Sequence, residues 1–487
     1  MRSIGRSGLA LTGLAAILAA CWSTRPNPRY CDAGRPCAGA GEQCDLTTHE
    51  CVAADVDLAA PDLTGGPDLR PMCTANVGCT AAGSPICDDA THACRACAAA
   101  DCAGFAGHPV CAPSGACVEC VSRDDCAAAG KTCDTGTLTC VGCTANADCT
   151  SGACRADHAC AAAADLVHVD NKNGLCTGAV HAGTAADPYC QVAPALLASG
   201  STILVAASTV DYDAISVTAA VDKAIVGPGR SGANVARFAQ STKNGVAVNP
   251  AGGTAKLSIT GVVLVGSAGG TNAPGALCFQ GAGTSATLII TRSAIMNSGA
   301  HGVDVTACTI TLDANEITLN QGGGVRLIDS AFTLTNNIIA LNGNMGTATI
   351  PGVSINAASS GTFAYNTIVK NLVSAGVAGI DCSAAAHAIS ASIVAQNTAA
   401  GGTQFNGACT LTNVVAGASE TAAAATKLDP AFVGTSNFRL DMTLGAPRTA
   451  NQACCVDQIA AGATDHDVDG YHRPTGAKWD IGAAEAQ

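Results

Sequence analysis

Aromatic side chains are nearly missing from this sequence: 8 Phe, 5 Tyr and 2 Trp among 487 residues. A core built on large rings is thereby excluded. Apolar residues still make up 48%, so burial must rest on Ala, Val, Ile and Leu packed closely and repetitively. Charge is also thin, at 13%, and 24 Lys and Arg face 37 Asp and Glu, for a net charge of −13. That balance argues against nucleic acid as a partner and for a well-solvated surface. Beyond the first residues no apolar run reaches membrane-spanning length.

What is present begins with an export signal. Arg2 and Arg6 precede "GLALTGLAAILAA" (8–20), an apolar run too short to cross a bilayer. It ends in Leu18-Ala19-Ala20-Cys21, which resembles the lipobox of bacterial lipoproteins. The resemblance implies cleavage after residue 20 and lipid attachment at Cys21, hence a membrane as partner. Trp22 is not the Asp associated with inner-membrane retention in many such lipoproteins, which implies the outer membrane, on its periplasmic or surface-facing side.

Of the 29 Cys, Cys21 is set aside and an even number remains for pairing in an oxidising compartment. A short tether (21–30) leads to a unit at Cys31, Cys37, Cys44 and Cys51 (31–51). Residues 52–72, with Pro61, Pro67, Pro71 and three Asp-Leu pairs, form an acidic spacer that can bury little. Four tandem units follow over 73–160, and the unit starts Cys97, Cys120 and Cys143 are 23 residues apart. Cys94-Arg-Ala-Cys97 and Cys117-Val-Glu-Cys120 match the ligand spacing of a zinc site. That reading leaves Cys102 and Cys111 stranded between the two pairs, whereas two disulfides per unit leave none over. Units this small need such crosslinks. A CxxC redox centre is disfavoured because no βαβ pattern surrounds the motif. Three connectivities per unit stay open.

From about residue 165 the texture changes. "SAIMNS", "NEITLN", "NIIALN", "NTIVKN" and "SIVAQN" align Ser293, Asn315, Asn337, Asn366 and Ser392 in one column, and Ser298, Asn320, Asn342, Asn371 and Asn397 in another. Between them runs the apolar column Ile295, Ile317, Ile339, Ile368 and Val394. Second strands follow at Gly302, Gly324, Gly352 and Gly379, and third strands at Thr287, Thr309, Phe332 and Phe363. Three short strands per roughly 22-residue coil predict a parallel solenoid whose identical residues stack at about 4.8 Å. Asn is expected to take the left-handed turn position and to bond to the Asn above it.

These residues resemble the right-handed parallel β-helix proteins of the pectin-lyase-like class. The opening Gly183–Ala207 is similar to their capping helix and first strand. "DPAFV" at Asp429, "NFRL" at Asn437 and the tail Asp467–Glu485 resemble a choice-of-anchor C-terminus. The expected fold class is all-β: a right-handed parallel β-helix with three-strand coils over 165–450, a C-terminal cap segment at 451–487, and small disulfide-rich repeats in front. In this register Cys278 with Cys308 and Cys382 with Cys409 are expected to clip neighbouring coils, and Cys176 with Cys190 the N-terminal cap. Adjacent Cys454 and Cys455 are ambiguous.

Enzymes of this class cleave acidic polysaccharides with clustered Asp or paired carboxylates. Here the outward column of the second strand reads Asp304, Arg326, Ser354, Asp381 and Gln404, and Glu316 and Lys370 stand alone. Such alternation suits exposed ion pairs, so no catalytic residue is assigned. Gly227-Pro-Gly229-Arg-Ser-Gly232 matches a dinucleotide fingerprint but lacks the helix that should follow, and reads as a solenoid turn. Asp465, Asp467 and Asp469, followed by Gly470, form a D-x-D-x-D-G run able to wrap a structural calcium ion, completed by Asp480 or Glu485. No other cofactor is called for. The chain is thus expected to be a lipid-anchored envelope protein whose β-helix has a structural, adhesive or glycan-binding role, with an extended polysaccharide or an envelope protein as partner. The alternative is a polysaccharide lyase or glycoside hydrolase on the same fold. A third expectation is a protein partner held by the Cys-rich units.

Overall fold

The computed structural model describes the strands Glu42–Asp45 and Glu50–Ala53, Cys79, and residues 84–487 except 89, 99, 106, 173, 175, 177–180, 233–234, 268–272, 344–347, 384, 407, 418–419, 421–423, 461, 463, 475 and 487. The signal segment, Cys21, the tether and the acidic spacer beyond Ala53 lie outside the described residues. Two compact units divide the chain, Met1–Met72 and Cys73–Gln487. In the first, the two strands pair antiparallel with Cys44 opposite Cys51.

The same hairpin recurs in the second unit, with Cys87 opposite Cys94, Cys111 opposite Cys117 and Cys133 opposite Cys140. Facing cysteines do not bond each other. In the described repeats from Cys97 on, the third cysteine bonds back to the first and the fourth to the second, as in Cys97–Cys111 with Cys102–Cys117 and Cys120–Cys133 with Cys126–Cys140. Cys143–Cys154 and Cys149–Cys160 repeat it. Each bead is therefore closed on itself, and the C-x2-C spacing records the joint between two beads. Successive beads also touch: Thr150 Oγ1 donates to Asp124 Oδ1 at 2.8 Å.

Three parallel sheets of ten, eight and nine strands build the β-helix, and the chain visits them in turn. One coil runs through Ala294–Met296, His301–Thr306 and Thr309–Asp313 and returns to the first sheet at Glu316–Thr318. Alternate residues point inward. Ile295, Ile317, Ile339 and Ile368 stack in register with no exposed surface, each burial being worth roughly 1.5–3 kcal/mol. The short helix Val192–Leu197 precedes the strand Thr202–Val205 at the N-terminal end.

Both Asn columns lie inside the turns. Asn315 Nδ2 donates to Asn337 Oδ1 at 3.1 Å, and Asn337 Nδ2 to Asn366 Oδ1 at 3.0 Å. In the second ladder Asn320, Asn342, Asn371 and Asn397 are joined in the same way at 2.8–2.9 Å. The left-handed backbone position, however, belongs to the residue before each ladder member: Ala314, Leu319, Asn336, Leu341, Tyr365 and Lys370 all have φ of 53–59°. The ladder carboxamide bonds the neighbouring coil's backbone, and this is what holds its predecessor in a conformation that costs a non-glycine residue about 1–2 kcal/mol.

The segment after Asp429 lies along the side of the solenoid. Phe438, Leu440, Ile459, Val468 and Ile481 pack on Ile338, Val369, Ile393 and Val415, the outward residues of the nine-stranded sheet. Those strands therefore have two buried faces, which explains why they read as continuous apolar runs. Arg473 is buried beneath this cover. It pairs with Glu485 at 2.8 Å, donates to the carbonyls of His466, Asp480 and Gly482, and stands 4.9 Å from the centre of the Tyr365 ring.

Candidate functional site

The ten-stranded sheet keeps its outer face open in the middle, where a groove of about 660 Å³ crosses several coils. Its floor follows from register. One outward column runs Ala224, Ser258, Ile289, Thr311, Thr333 and Thr362, and the next Val226, Thr260, Thr291, Asp313, Thr335 and Ala364. Threonine suits such a floor: its branched Cβ fits the pleat and it carries a hydroxyl on the outer face of the sheet. The last Cys-rich bead forms one wall through Arg155 and Asp157, and the C-terminal segment forms the other through Thr464, Asp465 and His466.

The bead is fixed in place. Asn146 Nδ2 donates to Gly227 O at 2.8 Å, Arg292 donates to the carbonyls of Thr144 and Arg155, and Ala153 and Ala161 pack against Val226. The glycine-rich match at Gly227 thus serves as a turn that receives the bead. Outside the lining of the groove, Glu316, Arg230, Arg439 and Asp469 form a network at 2.9–3.4 Å plus a shorter Arg439–Asp469 contact. Glu316 therefore does not stand alone. Lys370 also has company, 5.5 Å from the centre of the Phe438 ring.

Titratable groups gather at one side of the groove. His466 Nε2 lies 2.7 Å from Asp313 Oδ2, and its Nδ1 2.7 Å from Asp465 Oδ1. Burial would push this imidazole down, but the hydrogen bonds and charges of Asp313 and Asp465 prevail and raise it to about 9. Burial pushes Asp313 up, yet His466, Thr335 and Asn336 together hold it below its ordinary value. His158 lies close by, its ring tilted by 55° and centred 5.0 Å from that of His466. Along the floor Lys223 is spent on the carbonyls of Ala198 and Gly200, while exposed Lys256 stands in register with Asp222.

Sequence reasoning passed over this place. Asp313 and His466 are 153 residues apart, and His158 lies in the last Cys-rich bead, ahead of the solenoid. One signal existed: Asp313 is the lone carboxylate in a column otherwise filled by Thr, Val and Ala.

Asp465 apart, the residues singled out from the sequence are placed elsewhere. Arg326 pairs with Asp304 in a two-pronged contact at 2.9 and 2.6 Å on the eight-stranded sheet. Asp381 receives Ser383 N and Asn406 Nδ2. Gln404 does not continue that column. Shifts of register between Leu372–Asp381 and Thr398–Phe405 put Phe405 opposite Ile380, and Gln404 Oε1 instead receives Asn397 Nδ2 at 2.7 Å as the last rung of the second ladder.

Asp465, Asp467 and Asp469 are not brought to a common point. Asp467 is fully buried and accepts the amides of Asp469, Tyr471 and Glu485, Asp469 is held by the two arginines, and Asp465 by His466. Asp480 likewise caps the amides of Asp457 and Ala486, and burial raises it to about 6. The carboxylates of the run are thus engaged by backbone amides, arginines and His466. Cys278–Cys308, Cys382–Cys409, Cys176–Cys190 and the adjacent Cys454–Cys455 are all bonded.

With this geometry in view, residues 244–416 match a family model described as a right handed beta helix region. The crystal structure of pectate lyase Pel9A is similar at 14% identity and a TM-score of 0.37, over 66% of this chain and 96% of that chain. That likeness is too low to transfer residues or substrate. No curated protein matches the chain in sequence. Among the described residues no helix is long and apolar enough to cross a membrane, and the many disulfides fit an exported protein.

Proposed function

We propose that this is a lipid-anchored envelope protein that binds an extended glycan in the groove over the ten-stranded sheet. The observation that carries this reading is the floor of the groove. Thr311, Thr333 and Thr362 present hydroxyls at one-coil intervals between two walls supplied by separate parts of the chain. A repeated row of donors and acceptors suits a ligand that itself repeats, and hydroxyls can both give and accept hydrogen bonds. Anchoring rests on Leu18-Ala19-Ala20-Cys21, with the outer membrane as destination.

Calorimetry against a panel of neutral and uronic-acid polysaccharides tests the binding. The double substitution Thr311→Val with Thr333→Val keeps shape and removes the hydroxyls. Loss of most of the affinity is expected, and binding indifferent to this change would refute the assignment. Labelling with a radioactive fatty acid tests the anchor, since Cys21→Ser should abolish incorporation and leave the chain unattached to membranes.

Cleavage of such a polymer is the second reading, favoured by Asp313, Asp465 and His466 lining the same groove. Absence of new chain ends after incubation with every polymer that binds would eliminate it.

A further inference from the structure

We propose that His158, Asp313 and His466 form a binding site for a divalent transition ion of the zinc type, at the side of the groove. One ligand atom from each residue lies within 4.8 Å of the other two. The supports of each residue decide which atom it turns toward the others. His158 Nδ1 donates to Cys143 O at 2.9 Å, which turns its Nε2 outward. His466 Nδ1 is held by Asp465 at 2.7 Å, leaving Nε2 toward Asp313. Asp313 Oδ1 receives Thr335 Oγ1 at 2.6 Å and Asn336 Nδ2 at 2.9 Å, so Oδ2 faces the histidines.

This arrangement is what metal-binding histidines require: the second ring nitrogen anchored to a carbonyl or carboxylate so that tautomer and direction are set. Two imidazoles and one carboxylate fit zinc and its neighbours. They do not fit calcium, which takes oxygen ligands. Bond lengths of about 2.0–2.1 Å place tetrahedral ligands roughly 3.3 Å apart. The His466–Asp313 contact must therefore open by a few tenths of an ångström, and His158, within 4.8 Å of both, must come to the same spacing. A second observation marks the place as polar and under-satisfied. Thr291 Oγ1, in register with Asp313, and Asn336 Oδ1 beside it are buried without a hydrogen-bond partner among the described residues. With three protein ligands, the fourth position is left for water or a ligand oxygen from the groove. The Cys trios that also come close together are all disulfide-bonded and offer no thiolate.

The ion would tie three parts of the chain together: the last disulfide bead, a coil of the solenoid and the C-terminal segment. The test uses the oxidised mature chain, stripped with chelator and titrated with zinc chloride in a calorimeter. One equivalent is expected, with affinity lowered at least tenfold by His158→Gln and by His466→Gln. Asp465→Asn, which touches only the support, should lower it 10–100-fold. Cobalt(II) loading of the wild type needs no variant: strong visible bands of a tetrahedral ion without a thiolate charge-transfer band are expected. The proposal is overturned by no binding to the wild type, by a thiolate band, or by zinc affinity unchanged in both histidine variants. Circular dichroism of each metal-free variant establishes that it is folded before its affinity is read, and the cobalt spectrum decides alone where both are not.

Discussion

Replacing Asn342 by Ala removes one rung from the middle of the second ladder, and the cost can be worked out atom by atom. Asn342 Oδ1 accepts Asn320 N at 3.1 Å and Asn320 Nδ2 at 2.9 Å, and Asn342 Nδ2 donates to Ile317 O and Asn371 Oδ1, both at 2.9 Å. Asn371 Oδ1 keeps its bond from Asn342 N, so three groups lose a partner: both Asn320 donors and the Ile317 carbonyl. The side chain is 1% exposed. Each buried unpaired group costs roughly 1–3 kcal/mol. A water entering the vacated space would recover part of this, so about 4 kcal/mol is expected. Ser298→Ala, at the end of the same ladder, loses the acceptor for Gly266 N and should cost only about 1 kcal/mol. Urea unfolding compares the two, with hydrogen exchange of the adjacent coils as a local readout, because a stacked array need not unfold in one step. The reasoning fails if Asn342→Ala costs no more than Ser298→Ala.

Removing the Cys382–Cys409 clip, which closes a 27-residue separation, by substituting both with Ser should cost about 3.5 kcal/mol in denaturant unfolding; a loss below about 1 kcal/mol would contradict the clip's role. Arg473→Met strands buried Glu485 and should cost about 3–5 kcal/mol, while adding Glu485→Met should restore much of it; a double-mutant cycle without coupling would refute the pairing. Asp480 should titrate near 6 by NMR. Its folded value is raised above the ordinary 3.8, so its contribution to stability is fully present below about 3.8 and is lost as pH rises through about 6. The loss is on the order of 3 kcal/mol, and a titration midpoint below 5 would show that burial does not act as described.

The β-helix was legible in the sequence because every coil repeats the same demand. Ile317 needs an Ile or Val above and below it, and Asn320 needs another carboxamide, so spacing alone exposes the stack. The cysteine units were legible for a similar reason, since four Cys in a unit too small for a core must pair locally. Their connectivity was not, because spacing does not say that Cys111 faces Cys117 across a hairpin yet bonds Cys97. The left-handed turn position was misplaced by one residue. The Asn columns are conspicuous in the sequence, whereas the strained residues before them, such as Ala314, Leu319, Tyr365 and Lys370, share no side-chain type. The shift to Gln404 came from irregular pairing that no periodicity records.

By itself, the sequence determined what depends on neighbours one coil or one bead away: the three-strand solenoid, its inward columns, its Asn ladders and its crosslinked repeats. Local spacing carries that information because each stabilising contact recurs at a constant interval. Tertiary structure alone decided where the C-terminal segment lies, which face it covers, and where the last bead docks. Those contacts occur once, between segments such as Asp313 and His466 that are 153 residues apart. They depend on surface shape and charge that exist only after the coils have stacked, and the groove they wall belongs to the assembled molecule.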